Sequence, residues 1–284
     1  MKTRIIQQWI VGELSWRRVW RSTWLIIASV YGFFLVYGLF LADSLIFQPQ
    51  PATYVQSSRF SQLTTENGDV ITIRYLPHPH ARYTILHSHG NAEDLGDIEG
   101  ILETFLMQGF SVIAYDYSGY GTSTGKPSEA ALYANILAVY EYLRDHQQIS
   151  PCQILVFGRS VGGGPSVELA AHHPVGGLIL ESVFTSAFRT ITRIPIFPID
   201  KFNNLRKISS VSCPILVIHG QQDEVIPFRH GEEMYARAPS PKMRLWVTSA
   251  HHNDVMWTAG EEYWATLAEF TKLVDAHTCM NEEK

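Results

Sequence analysis

Cysteine is scarce: the 284 residues contain three, Cys152, Cys213 and Cys279. They are too few for a disulfide framework, and none stands in a C-x-x-C pair that could hold zinc. A basic excess is missing as well. With 22 Lys and Arg against 27 Asp and Glu the formal net charge is −5, so there is no surplus of cations to neutralise phosphates, and nucleic acid is excluded as a generic partner. Repeats and low-complexity tracts are absent, and 46% hydrophobic with 17% charged residues is too apolar a composition for a disordered chain. Nucleotide signatures fail too. Gly119-Tyr120-Gly121 with Gly125 has the wrong spacing for G-x-G-x-x-G, and Gly125-Lys126 runs into Pro127, which breaks a P-loop.

What the chain does have at its start is one long uncharged run. Ser22 to Ala42 reads STWLIIASVYGFFLVYGLFLA, 21 residues bounded by Arg21 and Asp43, the length a helix needs to cross about 30 Å of hydrocarbon. A cleaved signal peptide fits less well, because the run exceeds a typical h-region and Phe40 and Ala42 do not make an A-x-A site. A retained signal anchor at 22–42 is expected. Lys2, Arg4, Arg17, Arg18 and Arg21 precede it against one acid, Glu13, and the 20 residues after it carry only Arg59. The positive-inside rule then keeps residues 1–21 in the cytoplasm and sends the rest across a single-pass membrane topology. Trp9, Trp16, Trp20 and Trp24, four of the seven tryptophans, suit a segment lying at headgroup level.

After a Pro-containing spacer at 43–54, residues 55–276 alternate short apolar runs with amphipathic stretches, the pattern of a mainly parallel sheet flanked by helices. Phe60 to Leu63, the turn Glu66 to Asp69 and VITIRYL read as an opening hairpin, its Asn67-Gly68 favouring a type I′ turn. Further strands are expected at 83–89, 111–117, 152–158, 177–182, 214–220 and 243–247. Helical faces are expected at Ile98, Ile101, Leu102, Phe105 and Leu106, stopped by Gly109; at Leu132, Ile136, Val139, Tyr140 and Leu143; and at Tyr263, Leu267, Phe270 and Val274. Residues 277–284 form a tail. A cut removing residues 1–47 is expected to leave the domain intact. Cys152 and Cys213 begin strands that the run GLILES separates, and two strand spacings give roughly 10 Å, beyond disulfide reach.

Chemistry concentrates where the strand-like run QILVFG ends in Gly158-Arg159-Ser160-Val161-Gly162 and a helix-like segment follows. This is a G-x-S-x-G nucleophile elbow in its strand-turn-helix context. A serine hydroxyl is a weak nucleophile near neutral pH, so a base must take its proton and a carboxylate must orient that base. In the chain order of this architecture, acid and base follow the serine. PILVIHGQQDEVIP offers Asp223, with Glu224 as the close competitor, and SAHHNDV offers two adjacent histidines, His251 and His252. The oxyanion of a tetrahedral intermediate needs donors: the Val161 N–H, and one from the loop HSHGNAEDLG, where Asn91 is preferred over Ala92 because it follows His89-Gly90. His87 and His89 form an H-x-H pair, but no further ligands follow at metalloenzyme spacing, so no metal and no cofactor are expected.

With DYSGYGTSTGKPSE at 116–129, these segments resemble the α/β-hydrolase superfamily, and most of all a group of N-terminally anchored serine hydrolases that includes protein depalmitoylases. The resemblance implies an α/β-hydrolase fold, a mostly parallel eight-stranded sheet with helices on both faces, and a triad of Ser160, Asp223 and His252. The family usually has glycine where this chain has His251. Residues 183–213 are expected as a short cap, whose Phe184, Phe188, Phe197 and Phe202 suit either an acyl chain or ordinary packing. The expected substrates are acyl esters, thioesters or lipids. An amidase or peptidase of the prolyl-aminopeptidase-like type, or an inert binding protein of the same fold, are the alternatives.

Overall fold

Eight of the apolar runs become the eight strands of one sheet in a computed structural model, which describes residues 15–190 and 200–278. The strands are β1 (Ser61–Thr64), β2 (Val70–Leu76), β3 (Thr84–Ser88), β4 (Ser111–Tyr115), β5 (Ile154–Arg159), β6 (Gly177–Glu181), β7 (Ile215–Gly220) and β8 (Lys242–Val247). Their order is β1-β2-β4-β3-β5-β6-β7-β8. The first two ladders are antiparallel and all the others parallel. Every residue of β3 through β7 is buried, as strands covered on both faces must be.

Two apolar layers cover the sheet. On one side α3 (Glu129–Glu141), α4 (Gly163–His172) and α6 (Arg229–Arg237) contribute Leu132, Ile136, Val167, Leu169 and Met234. On the other, α2 (Glu99–Met107) and α8 (Glu261–Thr278) contribute Leu102, Phe105, Tyr263, Leu267, Phe270 and Val274. The helical faces expected from the sequence are the faces buried here. Ser128 starts α3 by accepting the Ala131 N–H at 3.1 Å, a cap worth about 1 kcal/mol. Gly109, at φ 89°, follows α2 in a left-handed conformation that costs other residues more.

The opening hairpin forms with a different turn from the one expected. Gly68 alone in the loop has positive φ, at 85°, and Gly68 N–H bonds to Thr65 O at 2.9 Å while Thr65 and Asp69 pair across. That is a three-residue loop with glycine in the left-handed position, not type I′, which needs positive φ at Asn67 too.

The N-terminal helix, α1 (Trp16–Ile46), extends beyond 22–42 at both ends. Trp16–Val36 within it is long and apolar enough to cross a membrane, and none of it is buried. Trp16, Trp20 and Trp24, four residues apart, are all exposed and share one face. Lys2, Arg4 and Trp9 lie outside the described residues, whereas Arg17, Arg18 and Arg21 are in the first turns of α1.

From Asp43 onward the chain belongs with the sheet domain. Residues 43–54 are fastened to it rather than hanging as a spacer. Phe47 is 3% exposed, and its ring meets that of Phe202 edge-on at 5.9 Å. Phe202 also packs against Tyr133 and Phe184, so Phe184 and Phe202 serve the core. Phe197 lies outside the described residues. The sheet order sets β6 between β5 and β7, so Cys152 and Cys213 stand before non-adjacent strands. Burial pushes the Cys213 thiol up to about 12.

Because Phe47 is core, a cut after residue 47 removes part of the domain. Phe47→Ala is expected to cost about 3 kcal/mol, read as a lower urea midpoint for the full chain in detergent. An unchanged midpoint would show that the 43–54 segment adds nothing to the folded domain.

Candidate active site

β5 ends in the nucleophile elbow. Ser160 follows Arg159 with φ 53°, a left-handed conformation that costs a residue with a side chain roughly 1–2 kcal/mol. The turn closes because its flanking glycines have no room for side chains. A Cβ on Gly158 would lie 2.6 Å from Ser166 Oγ and 2.7 Å from Gly162 O, and one on Gly162 would run into the carbonyls of Ser88 and His89. The register Ser88↔Gly158 thus brings the exit of β3 against the elbow. Ser160 and Val161 open a 3-10 turn that leads into α4.

The candidate acid and base come from neighbouring strand ends. Asp223 follows β7 and His252 follows β8, with Gln222 N–H bonded to Ala250 O at 3.0 Å. His252 Nε2 lies 3.1 Å from Ser160 Oγ, and His252 Nδ1 lies 2.8 Å from Asp223 Oδ2. All three side chains are less than 10% exposed. Asp223 Oδ1 accepts the N–H groups of Val225 and Ile226 at 2.9 and 2.7 Å. Burial pushes its pKa up, but the hydrogen bond and charge of His252, with the Ile226 N–H, hold it below the usual carboxylate value.

The competing pair sorts itself separately. His251 is exposed and bonds Glu224 Oε2 through Nδ1 at 3.0 Å, away from Ser160. Its backbone N–H is taken by Asp254 Oδ1 at 2.7 Å. A side chain where the family has glycine therefore points into solvent.

Asn91 begins the turn after β3, and Ala92 beside it has φ 58°. The Asn91 side-chain amide donates to Ile46 O, at the end of α1, at 2.6 Å. With the side chain engaged there, the backbone N–H is the part of Asn91 that stays a candidate oxyanion donor. His87 and His89 pack against aromatic rings, His87 stacked on Phe157 at 5.0 Å and His89 tilted against Tyr117 at 4.2 Å. Burial lowers both, His87 to about 3, so both are neutral. Among the described residues no three His, Cys, Asp or Glu side chains gather as a metal-holding group.

The sequence and the fold are both similar to those of known proteins. Residues 79–197 fit the family model described as serine aminopeptidase, S33. Human alpha/beta hydrolase domain-containing protein 17B is 43% identical over 180 residues, 62% of each chain, and mouse protein 17C is 43% identical over 199 residues, 68% of this chain and 60% of that one. The chain thus spans about 60% of the length of these relatives. Among solved structures, the Pyrococcus furiosus esterase Pf2001 superposes with a TM-score of 0.67 at 19% identity, covering 80% of this chain and 97% of that one. The chain has the α/β-hydrolase fold. Within the superfamily it resembles the group to which the 17B and 17C proteins belong.

Two features of this site are not legible in the sequence. Arg159, inside the elbow motif, is buried and reaches Glu93 at 2.5 Å, Asn253 Oδ1 at 2.6 Å and Glu181 at 3.6 Å. Glu93 in turn accepts the Gly90 N–H at 2.8 Å. His219 donates through Nε2 to Ile226 O at 2.9 Å, and the same nitrogen lies 3.5 Å from Asp223 Oδ2. The i, i+4 spacing of His219 and Asp223 was the only available hint.

Beside the β3 loop, Asp116 is buried, with Oδ1 accepting Leu95 N–H at 2.9 Å and Oδ2 accepting the Tyr54 hydroxyl at 2.5 Å. Burial outweighs these bonds and pushes it up to about 7. A carboxyl raised on folding binds more protons in the native than in the unfolded chain between about pH 4 and 7. Its contribution to stability is therefore lost as pH rises through that window. Asp116→Asn is expected to flatten the fall in melting temperature between pH 5 and 8. An unaltered slope would show that Asp116 does not titrate there.

Proposed function

We propose that this chain is a membrane-anchored serine hydrolase that cleaves acyl ester or thioester bonds. The observation that carries the reading is the continuous hydrogen-bonded line from Asp223 through His252 to Ser160, 2.8 and 3.1 Å long. The carboxylate takes the Nδ1 hydrogen, which leaves the Nε2 lone pair facing the serine hydroxyl. His252 removes the hydroxyl proton as Ser160 Oγ attacks the acyl carbonyl carbon. The oxyanion is met by the N–H groups of Val161 and Asn91. Collapse breaks the bond to the alcohol or thiol, which leaves with the proton from His252, and water then hydrolyses the acyl-enzyme by the same steps. Asp223, kept ionised by its donors, stabilises the imidazolium formed at each attack.

The matching family's description favours a second reading, release of an N-terminal amino acid. That reaction needs an acid to hold the substrate amine. Between Val183 and Cys213 the sole acidic residue is Asp200, and its carboxylate is occupied by Ser186 Oγ at 2.5 Å, Phe188 N–H at 3.0 Å and Lys201 N–H at 2.9 Å. An ester substrate is favoured for that reason. A catalytically inert binding protein is disfavoured by the strain held at Ser160, which packing alone does not require.

Ser160→Ala is expected to abolish both p-nitrophenyl ester hydrolysis and fluorophosphonate labelling while the protein stays folded. His252→Ala should lose at least about a thousandfold in kcat, and His251→Gly should keep most of the activity. Folded wild-type protein that takes no label would favour the binding-protein reading, and the reverse ranking of the histidines would move the base to His251.

The five basic residues ahead of the anchor favour an extracytoplasmic catalytic domain, and the exposed Trp16, Trp20 and Trp24 support an interfacial start to the helix. A reporter fused after Lys284 should therefore be active outside the cytoplasm. Activity confined to the cytoplasm reverses the topology.

A further inference from the structure

The chain leaving α1 runs along the loop after β3 and is hydrogen-bonded to it at successive points. Asn91 uses both ends of its side-chain amide. Nδ2 donates to Ile46 O at 2.6 Å, and Oδ1 accepts the Gln48 N–H at 3.1 Å and the Tyr120 hydroxyl at 2.6 Å. Gln48 N–H also lies 3.0 Å from the Tyr120 hydroxyl oxygen. Further along, the Thr53 N–H donates to Asp94 Oδ2 at 2.7 Å. Tyr54 donates to Asp116, whose other oxygen takes the Leu95 N–H. On its opposite side the same loop is held by Glu93, which links the Gly90 N–H to buried Arg159.

We propose that residues 46–54 are a positioning strap for the oxyanion hole, with the Asn91 side chain as its latch. The proposal rests on the serine hydrolase reading above. Ala92, next to Asn91, sits at φ 58°, a conformation that persists only when its surroundings over-determine it. Asn91 Nδ2 and Oδ1 supply that constraint at the residue immediately before. They fix the backbone of Asn91, whose N–H the hydrolase reading assigns to the developing oxyanion. Substrate therefore meets the Asn91 backbone, while the amide group is spent on the anchor-proximal chain. The segment that joins the catalytic domain to the membrane helix thereby takes part in transition-state stabilisation, and a partner that pulled residues 46–54 from the loop would slow the enzyme without touching Ser160, Asp223 or His252.

The test uses the full chain in detergent, with a p-nitrophenyl ester as substrate and end-point fluorophosphonate titration to count competent sites. Asn91→Ala should lower kcat per titrated site about ten- to a hundredfold, since displacement of a reacting group's support by about 1 Å can cost that much, with KM within about twofold. Tyr120→Phe keeps the ring packed among Tyr117 and His89 and removes only the hydroxyl. It should lower kcat several-fold, and Asn91→Ala with Tyr120→Phe should be no slower than Asn91→Ala alone, because both act through one latch. Fewer titratable sites with unchanged kcat per site would mean that the strap serves only folding, and multiplicative losses would mean that Tyr120 acts elsewhere. Either result overturns the proposal. Wild-type protein that neither turns over ester nor labels at Ser160 overturns the hydrolase reading itself, and the strap's role with it, whatever the variants do.

Discussion

The buried guanidinium of Arg159 is the interaction on which the candidate site depends. It sits one residue before the nucleophile and holds three separate loops: the turn after β3 through Glu93, the end of β6 through Glu181, and the histidine loop through Asn253 and the His252 carbonyl. Burial works against the charge of Arg159, but the two carboxylates outweigh it and keep the group ionised. The same burial raises Glu181, which is steadied by Arg159 and by the Tyr263 hydroxyl at 2.6 Å. Buried ion networks of this kind contribute little net stability because desolvation offsets the attraction. Their effect is geometric: an unpaired Glu181 or Arg159 is so unfavourable that loops supplying the partners must settle in one arrangement.

That constraint explains how the elbow's strain persists. Ser160 at positive φ is unfavourable locally, and nothing within the motif compensates for it. Compensation comes from β5 being buried along its whole length and from the close seating of Gly162 against the exit of β3. The serine is thus held at the junction of a strand that cannot slide and a helix that starts within one turn. His252 reaches it from the end of β8 with the Asp223 loop beside it, because β7 and β8 pair directly. Proximity of the three groups is a property of strand order and needs no special long-range contact of its own.

Sequence reading recovered what depends on local pattern. Strands of five or six apolar residues, helical faces and a glycine-flanked serine are written in neighbouring positions, and so their places were legible. So was the chain order of the serine, the carboxylate and the histidine that meet by hydrogen bonds. Partnerships across long separations were not. Arg159 was visible within its motif, but Glu93 and Asn253 lie 66 and 94 residues away, and no spacing rule connects them. The strap was misread as a spacer for the same reason: QPQPATY has the composition of a linker, while its hydrogen bonds reach residues 41 to 72 positions away. The turn at Asn67-Gly68 went wrong at shorter range. Asn-Gly admits both a two-residue and a three-residue loop, and the pairing of Thr65 with Asp69 decides between them.

The adjacent histidines show why residue type alone could not identify a base. His251 and His252 have the same chemistry, and each has a carboxylate partner from the same dipeptide, Asp223-Glu224. Backbone direction separates them. One pair turns inward, where Asp223 receives two backbone N–H groups and its charge is sustained in a nearly dry setting. The other pair turns outward, with His251 and Glu224 both exposed, where water screens their attraction to little consequence. Only the inner pair holds a ring in one orientation against a neighbouring hydroxyl. Two adjacent side chains that leave the loop in different directions are therefore sufficient to set one of two equivalent histidines against Ser160 and the other in solvent.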